Sequence, residues 1–162
     1  MAENASISSL LDRVARTAPF HRELAKLGTE EQAVFDHTAL PGVPFVAALC
    51  INSVPDTCRT WVVTPHLRAQ ESVASQLETW GVHNILFVPE KEVALGEEIG
   101  DPELTAERLN VLHRIASGQI GRQTVVLTEN SLNDEVPSTR GMQNQGMVLK
   151  AGSYTHLRAH AT

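Results

Sequence analysis

Three short β-rich runs, Arg59–Pro65, Asn84–Pro89 and Thr124–Thr128, restrict the fold of this chain more than any other feature of its sequence. The first is β-branched and aromatic and ends at a proline, so it reads as a strand well inside a sheet. The second is almost continuously apolar, as parallel strands buried on both faces tend to be. Between them Ala69, Val73, Leu77 and Trp80 recur at i, i+4, i+8 and i+11, and Gly81 supplies a helix stop. Between the second and third runs, Asp101-Pro102-Glu103 has the cap and first-turn proline of a helix start. That helix continues through Leu104, Val111, Leu112 and Ile115 to Gly118. Strands alternating with helices at this spacing predict an α/β fold with a doubly wound parallel sheet. All three strands should then be parallel neighbours, with helices on both faces and Trp80 largely buried.

The flanks carry weaker signals. Ile7, Leu10, Leu11, Val14, Ala15 and Ala18 lie on one helical face that Pro19 ends, and Phe20–Leu27 forms a second short helix stopped by Gly28. Thr29-Glu30-Glu31-Gln32 has the spacing of a capping box. These short N-terminal helices, residues 1–33, form an extension, and residues 34–136 form the main domain. Val34–Leu40 reads as a further strand, leading through the turn Leu40-Pro41-Gly42-Val43-Pro44-Phe45-Val46 into a helix over Phe45–Ser53 that Pro55 and Asp56 break. Beyond Ser131 the pattern thins. Pro137, Gly141 and Gly146 mark residues 137–150 as a linker or the start of a second domain, and residues 151–162 read as a truncated or appended tail.

Composition excludes several classes of function. With 19 acidic against 13 basic side chains the net charge is −6, which should repel a phosphate backbone, so no direct nucleic-acid binding is expected. The two cysteines, Cys50 and Cys58, form neither a CxxC pair nor a disulfide framework and read as buried apolar residues of a reducing cytoplasm. No run approaches the ~18 apolar residues of a membrane span. Most histidines are scattered singly, and His156 and His160, at i, i+4 spacing, have no carboxylate or thiolate beside them, so no metal site is expected. Nor is there a nucleophile elbow, a Cys/His couple or a GxGxxG run, so no catalytic residue stands out. Glu97 and Glu98 are neighbours that point apart, in an acidic loop rather than an acid–base couple. Arg108 shares a helix side with Leu104 and Val111, either half-buried against a carboxylate or open to a partner. Arg108, Glu97 and Glu98 are the candidate interface residues.

The turn at Leu40–Val46 stands where an α/β protein would carry a phosphate loop, without that loop's glycines, lysine or hydroxyl. The order of elements from Leu40 to Lys150, with the run Glu107-Arg108-Leu109-Asn110-Val111-Leu112, resembles the N-terminal module of bacterial transcription-repair coupling factor. That module is itself similar to the first domain of excinuclease B, a RecA-like, P-loop NTPase-like fold. Counting back from Pro65 as in that family, the lysine place falls at Phe45, the Ser/Thr place at Val46 and the last loop glycine at Pro44. Phe45 cannot neutralise phosphate, Val46 offers magnesium no hydroxyl, and Pro44 has no N–H to donate. The resemblance therefore implies a vestigial loop, Gly42, Val43, Pro44, Phe45 and Val46, in a degenerate copy that takes no cofactor. It further implies a parent protein that is an ATP-driven DNA translocase, which clears stalled RNA polymerase and recruits excinuclease A. For this chain it implies a non-catalytic scaffold whose partners include the parent's other domains. The aromatic DNA-gripping hairpin of excinuclease B has no counterpart in the aromatic-free stretch Glu90–Gly100. Two other readings compete: a nucleotide-binding P-loop ATPase with an atypical loop, and an unrelated Rossmann-like or flavodoxin-like binding module.

Overall fold

The computed structural model describes residues 2–91, 102–117, 122–136 and 138. Glu97 and Glu98, the helix cap expected at Asp101, all of the segment assigned to 137–150 except residue 138, and the segment 151–162 lie outside these residues. The element order is α1 (Ala2–Ala15), α2 (Ala18–Leu24), a 3-10 turn (Leu40–Gly42), α3 (Val43–Ser53), β1 (Arg59–Thr64), α4 (Leu67–Thr79), β2 (Ile85–Phe87), α5 (Pro102–Ala116), β3 (Gln123–Thr128) and α6 (Glu129–Asn133). The architecture is mixed α/β, built on a small open sheet of three parallel strands.

The strand order is β1-β3-β2, so the last strand in sequence is the central one. Arg59 to Thr64 pair in register with Gln123 to Thr128, and Ile85 to Phe87 with Thr124 to Val126. All six residues of β3 are buried. β1, expected inside the sheet, is instead an edge strand, with Trp61 51% and Val63 49% exposed. A β-branched, aromatic run signals a strand but not its place in the sheet, because its partner on the second side comes from elsewhere in the chain.

Helix α4 shows how local sequence sets one boundary and a less typical residue sets the other. At its C-terminus Gly81 adopts φ +79°, Gly81 N–H donates to the Glu78 carbonyl and Val82 N–H to that of Leu77, both at 3.0 Å. This is the two-bond termination that a left-handed glycine allows, and it buries Val82 near Leu77. At its N-terminus the cap is His66, whose Nδ1 accepts from Ala69 N–H at 3.1 Å. Asn84, at φ 58°, then turns the chain into β2.

One core cluster joins Leu11 of α1, Leu24 of α2, Ala48, Leu49 and Ile51 of α3, Leu77 of α4, Val82 after α4, and Val126 of β3. The N-terminal helices therefore share the core of the first sheet face. On the other face Val125 and Leu127 of β3 and Leu86 of β2 meet Val111 of α5. Trp80, expected to be largely buried, is only partly so, because it follows the last turn of α4 at the rim of the first cluster.

Val34–Leu40 is not a strand. Residues 32–35 have no regular secondary structure, Val34 N–H donates to Glu23 Oε2 at 3.1 Å, His37 takes φ 60°, and Thr38 Oγ1 donates back to the Phe35 carbonyl at 3.0 Å. Phe35 stacks on Phe20, with centroids 5.7 Å apart, so its apolar surface is covered by α2 rather than by a sheet. Thr29 caps a turn: its hydroxyl accepts from Glu31 N–H at 3.1 Å and donates to the Lys26 carbonyl at 2.7 Å, closing the turn after α2. Cys58 is exposed rather than buried, and Cys50 is half-buried in α3. Among the described residues no helix is long and apolar enough to cross a membrane.

Candidate functional site

Gly42, Val43, Pro44, Phe45 and Val46 form the entry to α3. Ala39 is extended, Gly42 N–H donates to its carbonyl at 2.7 Å, and Val43 N–H donates to the Leu40 carbonyl. Gly42 caps α3 with no side-chain hydrogen bond, and Pro44, buried, brings no N–H to the first turn. The Phe45 ring meets Trp80 edge to face, with centroids 4.8 Å apart and planes at 66°. Trp80 sits where α4 ends and the chain turns towards the amino end of β2. Phe45 thus belongs to the hydrophobic cluster, and no strand leads into this turn. The entry holds apolar side chains together and presents neither a cation nor a hydroxyl.

Open α/β sheets usually hold ligands outside the carboxyl ends of their strands, where neighbouring strands send the chain to opposite faces. β1 and β3 form such a pair, since α4 packs on the first face and α6 lies towards the second. The polar side chains there are tied to one another. Thr64 Oγ1 donates to the Leu127 carbonyl at 3.2 Å, and Thr128 Oγ1 caps α6 by accepting from Ser131 N–H at 3.1 Å. Gln70, fully buried, donates from Nε2 to the carbonyls of Val88 at 2.8 Å and Val126 at 2.9 Å. This amide bridges β2 and β3 beyond their ladder, and its Oε1 has no protein partner.

Arg108 takes the structural role of the two open to it. It is 8% exposed, pairs with Asp134 at 3.1 Å and donates to the Pro89 carbonyl. One guanidinium so joins α5, the end of β2 and the segment after α6. A second arginine, Arg122, ties the start of β3 to the end of α3 through Asn52 Oδ1 at 3.0 Å, and to the loop before β1 through the Val54 carbonyl at 2.9 Å and Asp56 at 2.7 Å. Neither Gln70 nor Arg122 stood out in the sequence, because a lone Gln on a helix and a lone Arg before a strand carry no motif.

Among the described residues the polar groups at these strand ends bond mainly to backbone carbonyls and to neighbouring hydroxyls. Cys50 packs against the first core cluster, and burial pushes its thiol pKa up, away from the reactive thiolate. His21, His37, His66, His83 and His113 are all exposed, and among the described residues no group of three or more His, Cys, Asp or Glu could hold a metal ion. An apolar groove of about 380 Å³ opens over the second face of β1, lined by Trp61, Leu112, Ile115, Leu127, Leu132 and Val136; two other depressions lie against α2 and beside Trp80. No protein-family model, curated protein or solved structure matches the chain.

Proposed function

We propose that this chain is a non-catalytic, degenerate RecA-like scaffold module of the kind found at the amino terminus of bacterial transcription-repair coupling factors. The observation that carries the reading is Phe45: the residue at the lysine place of a phosphate loop packs on Trp80 instead of facing a ligand. Val46 beside it has no hydroxyl for magnesium, and Pro44 no amide for phosphate. The bonds that Thr64, Thr128 and the Gln70 amide nitrogen make within the fold at the carboxyl ends of the strands support the same reading, since they brace the sheet. On this proposal the chain works in the cytoplasm as an interdomain surface of an ATP-driven DNA translocase. That parent protein would act on stalled RNA polymerase and recruit excinuclease A.

Calorimetric titration with Mg-ATP tests it, with no saturable heat expected. Saturable binding in the low micromolar range would overturn the proposal in favour of a P-loop ATPase with an atypical loop. DNA binding is a second arm: at net charge −6 no complex is expected at physiological salt. A complex that weakens steeply with added salt would contradict it.

A further inference from the structure

We propose that a second copy of this chain pairs with the open edge of β1, antiparallel and about a two-fold axis at Val62, so that the two sheets join into one. The inference rests on the strand itself and is independent of the family reading above.

The first observation is a row of unpaired backbone groups. β1 has β3 on one side and, among the described residues, no strand on the other. The direction of its groups follows from β3. Thr124 N–H donates to the Asn84 carbonyl and Val88 N–H to the Val126 carbonyl, so Thr124 and Val126 turn their backbone towards β2. That direction alternates along a strand, so Gln123, Val125 and Leu127 turn towards β1, where Thr60, Val62 and Thr64 answer them in the parallel ladder. The N–H and C=O groups of Trp61 and Val63 therefore point out of the sheet. Among the described residues no hydrogen bond reaches them. Such an edge is a template for another strand unless a charge, a proline or a bulge blunts it. From Thr60 to Thr64 there is no charge and no proline, and the register with β3 is unbroken.

The sequence of the edge selects the occupant. Read antiparallel against itself, Thr60-Trp61-Val62-Val63-Thr64 sets Thr60 opposite Thr64, Trp61 opposite Val63 and Val62 opposite Val62 of the second copy. These are threonine–threonine and aromatic–β-branched pairs, which stabilise neighbouring strands. In the same register Trp61 and Val63 form the hydrogen-bonded pairs, so the outward groups of each find partners across the axis. The side chains of both, 51% and 49% exposed, then cover one another on the second face. Arg59 falls opposite Pro65, so no like charges meet in the paired stretch. A two-fold contact of this kind closes at two copies. A six-residue strand on each side covers less than the ~800 Å² per partner of a standard interface, which makes the dimer a weak one.

The test is sedimentation of the full chain from about 10 µM to about 1 mM, with amide exchange read at both ends of that range. Monomer passing to dimer and no further is expected, with exchange at Trp61 and Val63 slowed by about threefold or more at the upper end. Val63→Pro removes an outward N–H and no bond of the ladder with β3, and Trp61→Glu sets a charge on the edge. Each should weaken association by about tenfold or more. Leu40→Ser, at an apolar residue 87% exposed on the α3 entry, should leave it unchanged. Circular dichroism shows that each variant is folded, and Trp61→Glu serves if Val63→Pro is not. A chain that stays monomeric over the whole range overturns the proposal, as does a dimer indifferent to both variants. Growth beyond the dimer would also overturn it, because the two-fold pairing leaves no edge of β1 free.

Discussion

The two faces of the sheet are made from the same strands, yet they are finished differently. On the first, Val126 lies beneath Leu49 of α3 and Leu77 of α4, with Leu11 and Leu24 from the N-terminal helices behind them. On the second, Val125 and Leu127 are covered by Val111 and Ile115 of α5, and the neighbouring β1 residues Trp61 and Val63 stay half in solvent. Local hydrophobicity is alike on the two faces. Burial also requires a covering element, and among the described residues α1 to α4 serve one side while α5 is the long helix on the other.

Truncation measures that contrast most strongly at the centre of the first face. Leu77 is fully buried, so Leu77→Ala should destabilise by about 3–4 kcal/mol in urea unfolding. A loss under about 1 kcal/mol would mean that α4 does not seal this face. Arg108→Leu is next, at about 2–3 kcal/mol, because it leaves the Pro89 carbonyl and Asp134 without their donor. That figure lies below the range for fully buried pairs because the Asp134 side chain is 25% exposed. A neutral result would show the second face to be held by α5 packing alone.

Phe45→Ala should cost about 2 kcal/mol, less than a fully buried aromatic, since Phe45 and Trp80 are both partly buried. Trp80 emission should move towards that of exposed tryptophan in the same variant. Trp61→Ala should change stability by less than about 1 kcal/mol despite its size, because half of its surface is already in water. A larger loss would mean that Trp61 is covered in solution. The smallest effect is chemical. A thiol reagent should modify Cys58, which is exposed, quickly, and Cys50 only as the first face opens, because its burial and raised pKa withhold the thiolate. Two equally fast thiols would show α3 to be loosely held.

Much of the framework was legible in the residues. The alternation of Arg59–Pro65, Ala69–Gly81, Asn84–Pro89 and Thr124–Thr128 led to parallel strands with α4 between the first two, because periodicity and left-handed glycine act over a few residues. Val34–Leu40 misled for a converse reason. Val34 and Phe35 have strand propensity, but Phe20 is the nearer apolar surface and His37 turns the chain before a ladder can form. At the candidate site, the poverty of the Gly42–Val46 turn in phosphate-binding groups could be read directly. The contact of Phe45 with Trp80 joins segments far apart in the chain and could not.

By itself, the sequence determined the three strands and the helix between the first two, the apolar character of the strands, the acidic balance and the lack of a lysine and a hydroxyl at the α3 entry. Those properties belong to single residues or to short repeats along the chain. Tertiary structure alone decided that β3 is central and β1 an edge, that Gln70 bridges two strands, that Arg108 pairs with Asp134, and that Trp61 faces an open groove. Each of these depends on which distant segment arrives alongside. That choice is set by the joint burial of many side chains, not by the preference of any one of them.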